Sequence, residues 1–228
     1  MTLILTGKSQ AIDANTQSAI NKEPIRQPVF CSDQGFETDE QYEKQFHGGP
    51  ERALHFYPRE HYSYWETYWQ AMQLESPDFS FKAGVFGENL SDDRFNEDNC
   101  HIGDIFKLGE VIMQISQPRS PCYKLNIQFN YPQMSLLMQA NGKTGWLLRV
   151  LQEGMVKPTD NLELLETSPD CLSIRKCANI LYNNAFNQTD LEHLAAHSAL
   201  SKNWRQHASH WLENGKPEDW TRRLLNQK

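Results

Sequence analysis

Apolar positions follow a strand rhythm in the first two thirds of the chain and a helical one in the last. Over residues 2–166 they come in short runs. Leu3 and Leu5 stand two apart near the start. Val111, Met113 and Ile115 alternate in EVIMQIS, the period of a strand with one buried face. Further runs stand at 81–86, 101–108, 146–151 and 162–165, divided by Gly, Pro and Asn. Many short strands separated by turn signals predict a barrel or sandwich. One helix interrupts them. Tyr62, Trp65, Trp69 and Met72 recur at near-helical spacing, and Pro58 suits a first helical turn, where its missing N–H costs nothing. The aromatic stripe reads as a face packed on the barrel.

After Pro169 the period becomes helical. Residues 173–182, 190–197 and 201–213 each predict one short helix. Thr189 or Asp190 can cap the second and Ser201 the third, while Gly215 and Pro217 close the set. The expected fold is mainly β: a barrel domain with a few helices over 1–168, then a three-helix appendage over 169–228. So small a helical unit is marginal alone and is expected to lean on the barrel.

Charge and cysteine usage narrow the function. Among 228 residues, 29 acidic side chains outnumber 22 basic ones, a net charge of -7. No broad positive surface is available for nucleic-acid backbones, although a local basic pocket for a small anion is compatible with that balance. No run of 18 apolar residues predicts a membrane span, and MTLILTGKSQ lacks the basic and apolar stretches of a secretory signal. Five cysteines, an odd number without a CxxC, argue against a disulfide framework or a Cys-rich zinc site. Reduced thiols in a cytoplasmic protein are the simplest expectation.

Candidate chemistry concentrates in a few stretches. In SQPRSPCYKL, Cys122 sits between the cations Arg119 and Lys124, which favour thiolate over thiol, and Pro118 and Pro121 stiffen the approach. From these residues alone Cys122 is either an ordinary loop cysteine or a nucleophile or soft-metal ligand. In FHGGPERALHFYPREHY, His47, Gly48 and Gly49 form either a tight turn or a loop whose backbone approaches an anion, with Arg52, His55 and Arg59 as nearby donors. FGENL and IGD follow, then GKTGWLLRV. The last fails as a phosphate-binding P-loop, because Leu137 stands where the leading Gly belongs. No GxSxG or GxGxxG supports a serine hydrolase or a dinucleotide fold. His193 with His197, and His207 with His210, share helix faces, but without HExxH they read as surface histidines.

HGGPERALHFYPREHY, FGENL, IGD, SQPRSPCYKL and GKTGWLLRVLQEG, in that order, resemble the MOSC domain family, and more closely its YiiM-like subgroup. The tail resembles the 3-alpha domain that follows MOSC there. The resemblance implies a barrel-like fold and a molybdenum cofactor, a pterin dithiolene, with Cys122 as the molybdenum ligand and catalytic residue. His47, Gly48, Gly49, Arg52, His55, Glu88, Asn89, Arg119, Lys124 and Arg149 become the candidates for holding pterin or phosphate. Thr38, Glu43 and Phe46 depart from the usual pattern, so no role is carried onto Asp39 or Glu43.

The activity implied is reduction of N-hydroxylated compounds, such as hydroxylaminopurine-type base analogues, to amines. The partners implied are the small-molecule substrate and a separate reductase, a flavoprotein by expectation, since no cysteine spacing here fits an iron–sulfur cluster. Nucleic acid and membrane are not expected partners. Two other readings stay open at this point: a carrier of cofactor or of sulfur as a Cys122 persulfide, and a non-catalytic binder of a phosphorylated small molecule.

Overall fold

The computed structural model describes residues 1–42, 48–75 and 80–226. Its strands, in chain order, are β1 (Leu3–Thr6), β2 (Gln10–Ala11), β3 (Gln17–Ser18), β4 (Glu23–Pro24), β5 (Val29–Ser32), β6 (Gly35–Phe36), β7 (Leu54–Phe56), β8 (Leu90–Ser91), β9 (Ile105–Leu108), β10 (Val111–Pro118), β11 (Trp146–Gln152), β12 (Gly154–Val156) and β13 (Glu163–Glu166). Eight of them make one curled sheet in the order β13-β9-β10-β11-β7-β8-β1-β4. Every neighbouring pair in it is antiparallel except β7 with β8, which meet in parallel at Phe56 and Leu90. A small sheet, β12-β5-β6, and the β2–β3 hairpin complete the strands.

The curled sheet is a half-barrel, and among the described residues it is not shown to close into a full barrel. Its edge strands offer little to a further pairing. β4 is two residues long and carries Pro24, which has no N–H for a further ladder, and all four residues of β13 are exposed.

β10 carries the feature that builds the site. Val111, Met113 and Ile115 are fully buried, as their alternation predicts. Register shifts against β11 fall between Ile112 and Met113 and again between Ile115 and Gln117. Such bulges bend a strand and re-aim the side chains beyond them. After the second, Ser116 and Gln117 are both buried. Ser116 Oγ lies 2.6 Å from the Glu51 carbonyl and 3.0 Å from that of Leu147.

The aromatic helix is α1 (Glu60–Ala71), with Pro58 just ahead of its N-cap Arg59 rather than inside it. Tyr62, Trp65 and Trp69 are buried, but Met72 is the C-cap and largely exposed. This face packs mainly against Tyr57, Phe86 and the short helices α2 (Lys124–Gln128) and α3 (Met134–Asn141), a second core beside the one under the sheet. Residues 81–86 form turns and supply Phe86 to that core instead of the expected strand.

The C-terminal helices are α4 (Ile174–Tyr182), α5 (Gln188–Ala196), α6 (Lys202–Asn214) and α7 (Thr221–Leu225). Ser173 and Ser201 cap α4 and α6, and Gly215 ends α6 in the left-handed region. Asn187, not Thr189 or Asp190, caps α5 by accepting from the Asp190 N–H, which starts that helix earlier than expected. α7 is a fourth helix that the apolar pattern does not announce. Ile174, Cys177, Leu191, Trp204 and Trp211 join Phe106, Met113, Ile115 and Trp146 of the sheet in one continuous core. His197 is a correction to the surface reading. Its side chain is only 4% exposed and stands, with His193, against the single carboxylate of Asp170 at 3.0 and 2.7 Å.

Candidate functional site

A cavity of about 740 Å³, lined by many charged and amide side chains, is walled on one side by residues of the C-terminal helices. Of the candidates from the sequence, Arg52, His55, Asn89, Arg119, Cys122 and Lys124 line it. Lys22, Asp39, Tyr42, Gln117, Arg222 and Arg223 also line it and were not among those candidates. Among the described lining residues, six cations (Lys22, Arg52, Arg119, Lys124, Arg222 and Arg223) face four carboxylates, those of Asp39, Glu40, Glu218 and Asp219. A chain of net charge -7 therefore holds a locally positive pocket.

The Cys122 loop leaves β10 at Pro118. The Arg119 N–H donates to the Gly145 carbonyl at 3.1 Å, and the Cys122 carbonyl accepts the Leu125 N–H at 3.0 Å, so the cysteine stands just ahead of Tyr123, the N-cap of α2. It is partly exposed at the cavity wall. Burial pulls the Arg119 guanidinium below its ordinary range, while the Cys122 sulfur, interacting with it as an opposite charge, pulls the other way.

His55 is held on β7. Its Nε2 donates to the Thr144 carbonyl at 3.3 Å. Burial, reinforced by the charge of Arg119, pushes the imidazole well below its usual pKa, so it is neutral at pH 7. Asn89 fixes this strand to the N-terminal segment. It accepts from the His55 N–H at 3.1 Å and donates to Asp39 at 2.8 Å and to the Leu5 carbonyl at 3.3 Å. Asp39 in turn accepts the Gly7 N–H at 2.7 Å and forms a buried ion pair with Lys22. Burial lowers the Lys22 ammonium, and Asp39 partly restores it. Lys124 is buried with its Nζ 4.8 Å from the centre of the Tyr42 ring.

The remaining candidates lie elsewhere. Glu88 is fully buried behind the lining, taking the Tyr62 hydroxyl at 2.5 Å and the Phe86 N–H at 3.0 Å. Arg149 is outside the cavity. Its position on β11 puts it beside Gln114 of β10 (3.0 Å), and its Nη2 reaches Glu51 (2.6 Å) and the Ala199 carbonyl (2.9 Å). It ties the sheet to the helical region. Gly48 and Gly49 are half-buried ahead of the 3-10 turn Pro50–Arg52 and are not in the lining. His47, with Glu43 and Phe46, lies outside the described residues.

The lining suits an anionic ligand rich in donors and acceptors. Gln117 Oε1 is buried with no hydrogen-bond partner, an acceptor awaiting a donor from whatever enters. A thiol, clustered cations and amide groups match a soft metal, a phosphate and a heterocycle edge respectively. The residues present therefore fit a pterin-type molybdenum cofactor. Among the described residues no cluster of His, Cys, Asp and Glu fits a metal ion held by protein alone, and no helix is long and apolar enough to cross a membrane.

Fold and cavity together are a strand-rich domain with a cation-lined cavity in which Cys122 is the one described cysteine. The family model for the MOSC domain matches residues 43–163, and that for the YiiM-like 3-alpha helix domain matches residues 172–215. The protein YiiM of Escherichia coli (strain K12) is 42% identical over 221 residues, 97% of this chain and 96% of that one. The crystal structure of YiiM from Escherichia coli superposes with a TM-score of 0.80 at 36% identity, covering 98% of this chain and 97% of that one. A protein named a reductase from Gibberella moniliformis is 39% identical over 160 residues, 70% of this chain but 28% of its own length. The chain belongs to the MOSC family, in its YiiM-like branch.

Proposed function

We propose that the protein is a molybdenum-cofactor-dependent reductase that converts N-hydroxylated compounds, of the hydroxylaminopurine type, to amines. The observation that carries this reading is Cys122 on the wall of a cationic cavity in a MOSC chain. The name of the fungal relative supports the reductive direction.

Cys122 would ligate the metal through sulfur. Arg119 holds positive charge against that sulfur, and Gln117 offers its orphaned acceptor to a heterocycle N–H. Arg52 and Lys124 supply the charge for a phosphate end, and the Lys22–Asp39 pair, neutral as a whole, stiffens the wall beside them. When bound, the cofactor supplies two-electron reduction of an N–O bond. The balance is R–NHOH plus two electrons and two protons giving R–NH2 and water. Electrons come from a separate reductase, for which a flavoprotein is the fitting class. His55, neutral and donating to Thr144, orients this wall without adding charge.

The test is turnover of a hydroxylaminopurine by cofactor-loaded protein with a reductase and NADH. Amine formation that disappears in Cys122→Ser supports the reading. Equal turnover in the variant overturns it.

A further inference from the structure

Residues 216–226 lie beyond both family-model matches. They fold back over the cavity, and Glu218, Asp219, Trp220, Arg222, Arg223 and Asn226 line it. The segment is bonded to the Cys122 loop and to α2 and α3. The Arg223 carbonyl accepts the Tyr123 N–H at 2.8 Å, and the Arg223 Nη1 donates to the Pro121 carbonyl. The residues on both sides of Cys122 are thus held by one residue of the tail. The same guanidinium donates to Gln139 Oε1 at 2.6 Å, and it lies over the rings of Trp220 (5.1 Å) and Tyr182 (5.4 Å). The Leu224 carbonyl takes Asn126 Nδ2 at 2.8 Å and Ser135 Oγ at 2.7 Å. His207 Nδ1, 2.8 Å from Glu218, anchors the near end to α6.

The geometry points to Arg223 as a positioning residue that fixes the Cys122 loop, and to the C-terminal segment as part of the functional site. A planar fork is needed. Pro121 and Gln139 are reached by different nitrogens of one guanidinium while its face stacks on aromatics, which a lysine cannot reproduce. The inference rests on Cys122 being the centre of the site proposed above.

The experiment compares Arg223→Gln, Arg223→Lys and Arg222→Gln in the full-length protein. Arg222→Gln removes the same charge from an exposed neighbour on the same cavity wall. Alkylation by neutral iodoacetamide is followed at each cysteine by mass spectrometry, with exposed Cys171 as the internal reference. Hydrogen exchange of residues 118–124 and the thermal midpoint are measured alongside.

Arg223→Gln is expected to raise the Cys122 to Cys171 rate ratio about five-fold or more, the shift that follows the loss of one or two net hydrogen bonds. Loop exchange rises with it. Arg222→Gln should change the ratio less than about two-fold, and Arg223→Lys should fall between. A general loss of folding would raise the buried Cys31, Cys100 and Cys177 as well, which separates it from release of the loop. Equal ratios in the two Gln variants overturn the positioning role and leave the reductase reading standing. Unequal ratios in a protein that binds no cofactor would sink that reading and leave the positioning role intact.

Discussion

Removing the Asp39 carboxylate is the sharpest perturbation of the site's scaffold. The side chains of Lys22 and Asp39 are 6% and 4% exposed. Asp39→Ala strands the Lys22 ammonium and takes the acceptor from the Gly7 N–H and the Asn89 amide. Breaking a buried pair by deleting one partner costs about 3–5 kcal/mol. Lys22 borders the cavity, so entering water offsets part of this and places the cost near ~3 kcal/mol. For a chain of this size that lowers the thermal midpoint by roughly 6–12 °C. The assay is thermal and urea unfolding of Asp39→Ala, Lys22→Met and the double variant. The cycle should be non-additive, the double variant being more stable than the summed singles by about 2 kcal/mol. A midpoint within about 2 °C of the wild type, or an additive cycle, would refute the claim that this pair is desolvated and coupled.

Other outcomes follow from the same reasoning. Burial pushes the Asp92 carboxyl up, but hydrogen bonds from Arg94 and Thr2 outweigh it and hold it well below the usual carboxylate range. A depressed carboxylate contributes stability above its unfolded pKa of about 3.9 and loses it as pH falls toward the folded value. The stability gap between wild type and Asp92→Asn, followed by urea unfolding, should be constant from pH 7 to about pH 5 and close below about pH 4. Gly145→Ala should lower the midpoint by at least about 4 °C, because φ is +67° there and a Cβ would stand 2.1 Å from the Phe56 carbonyl. An unchanged midpoint in differential scanning fluorimetry would contradict that geometry.

What the sequence discloses depends on how local each determinant is. The strand at Val111, Met113 and Ile115 and the helix face at Tyr62, Trp65 and Trp69 are legible because burial follows backbone period. Ser201 is legible as a cap because its partner is three residues away. The edge of the sheet is not, since β4 is a two-residue strand with no period at all. Within the site, Arg119, Cys122 and Lys124 are legible as a cation-flanked thiol in one short motif. Gln117 is not, because a bulge turns it against the alternation of β10. Arg149 looks like a site cation in sequence, yet Glu51, 98 residues away, claims it. Lys22 and Arg223 reach the cavity from the two ends of the chain, where only tertiary folding brings them to Cys122. The tail's polar, aromatic segment has no apolar period that announces α7.

The central claim is that Cys122 and its cationic cavity hold a molybdenum pterin. The most direct measurement is molybdenum content together with oxidised-pterin fluorescence, on protein purified without oxygen from cells that make the cofactor, beside Cys122→Ser. The account predicts near-stoichiometric metal and pterin in the wild type and loss of the metal in a variant that remains folded. Absence of both from the wild type, or metal retained in full by Cys122→Ser, would contradict it.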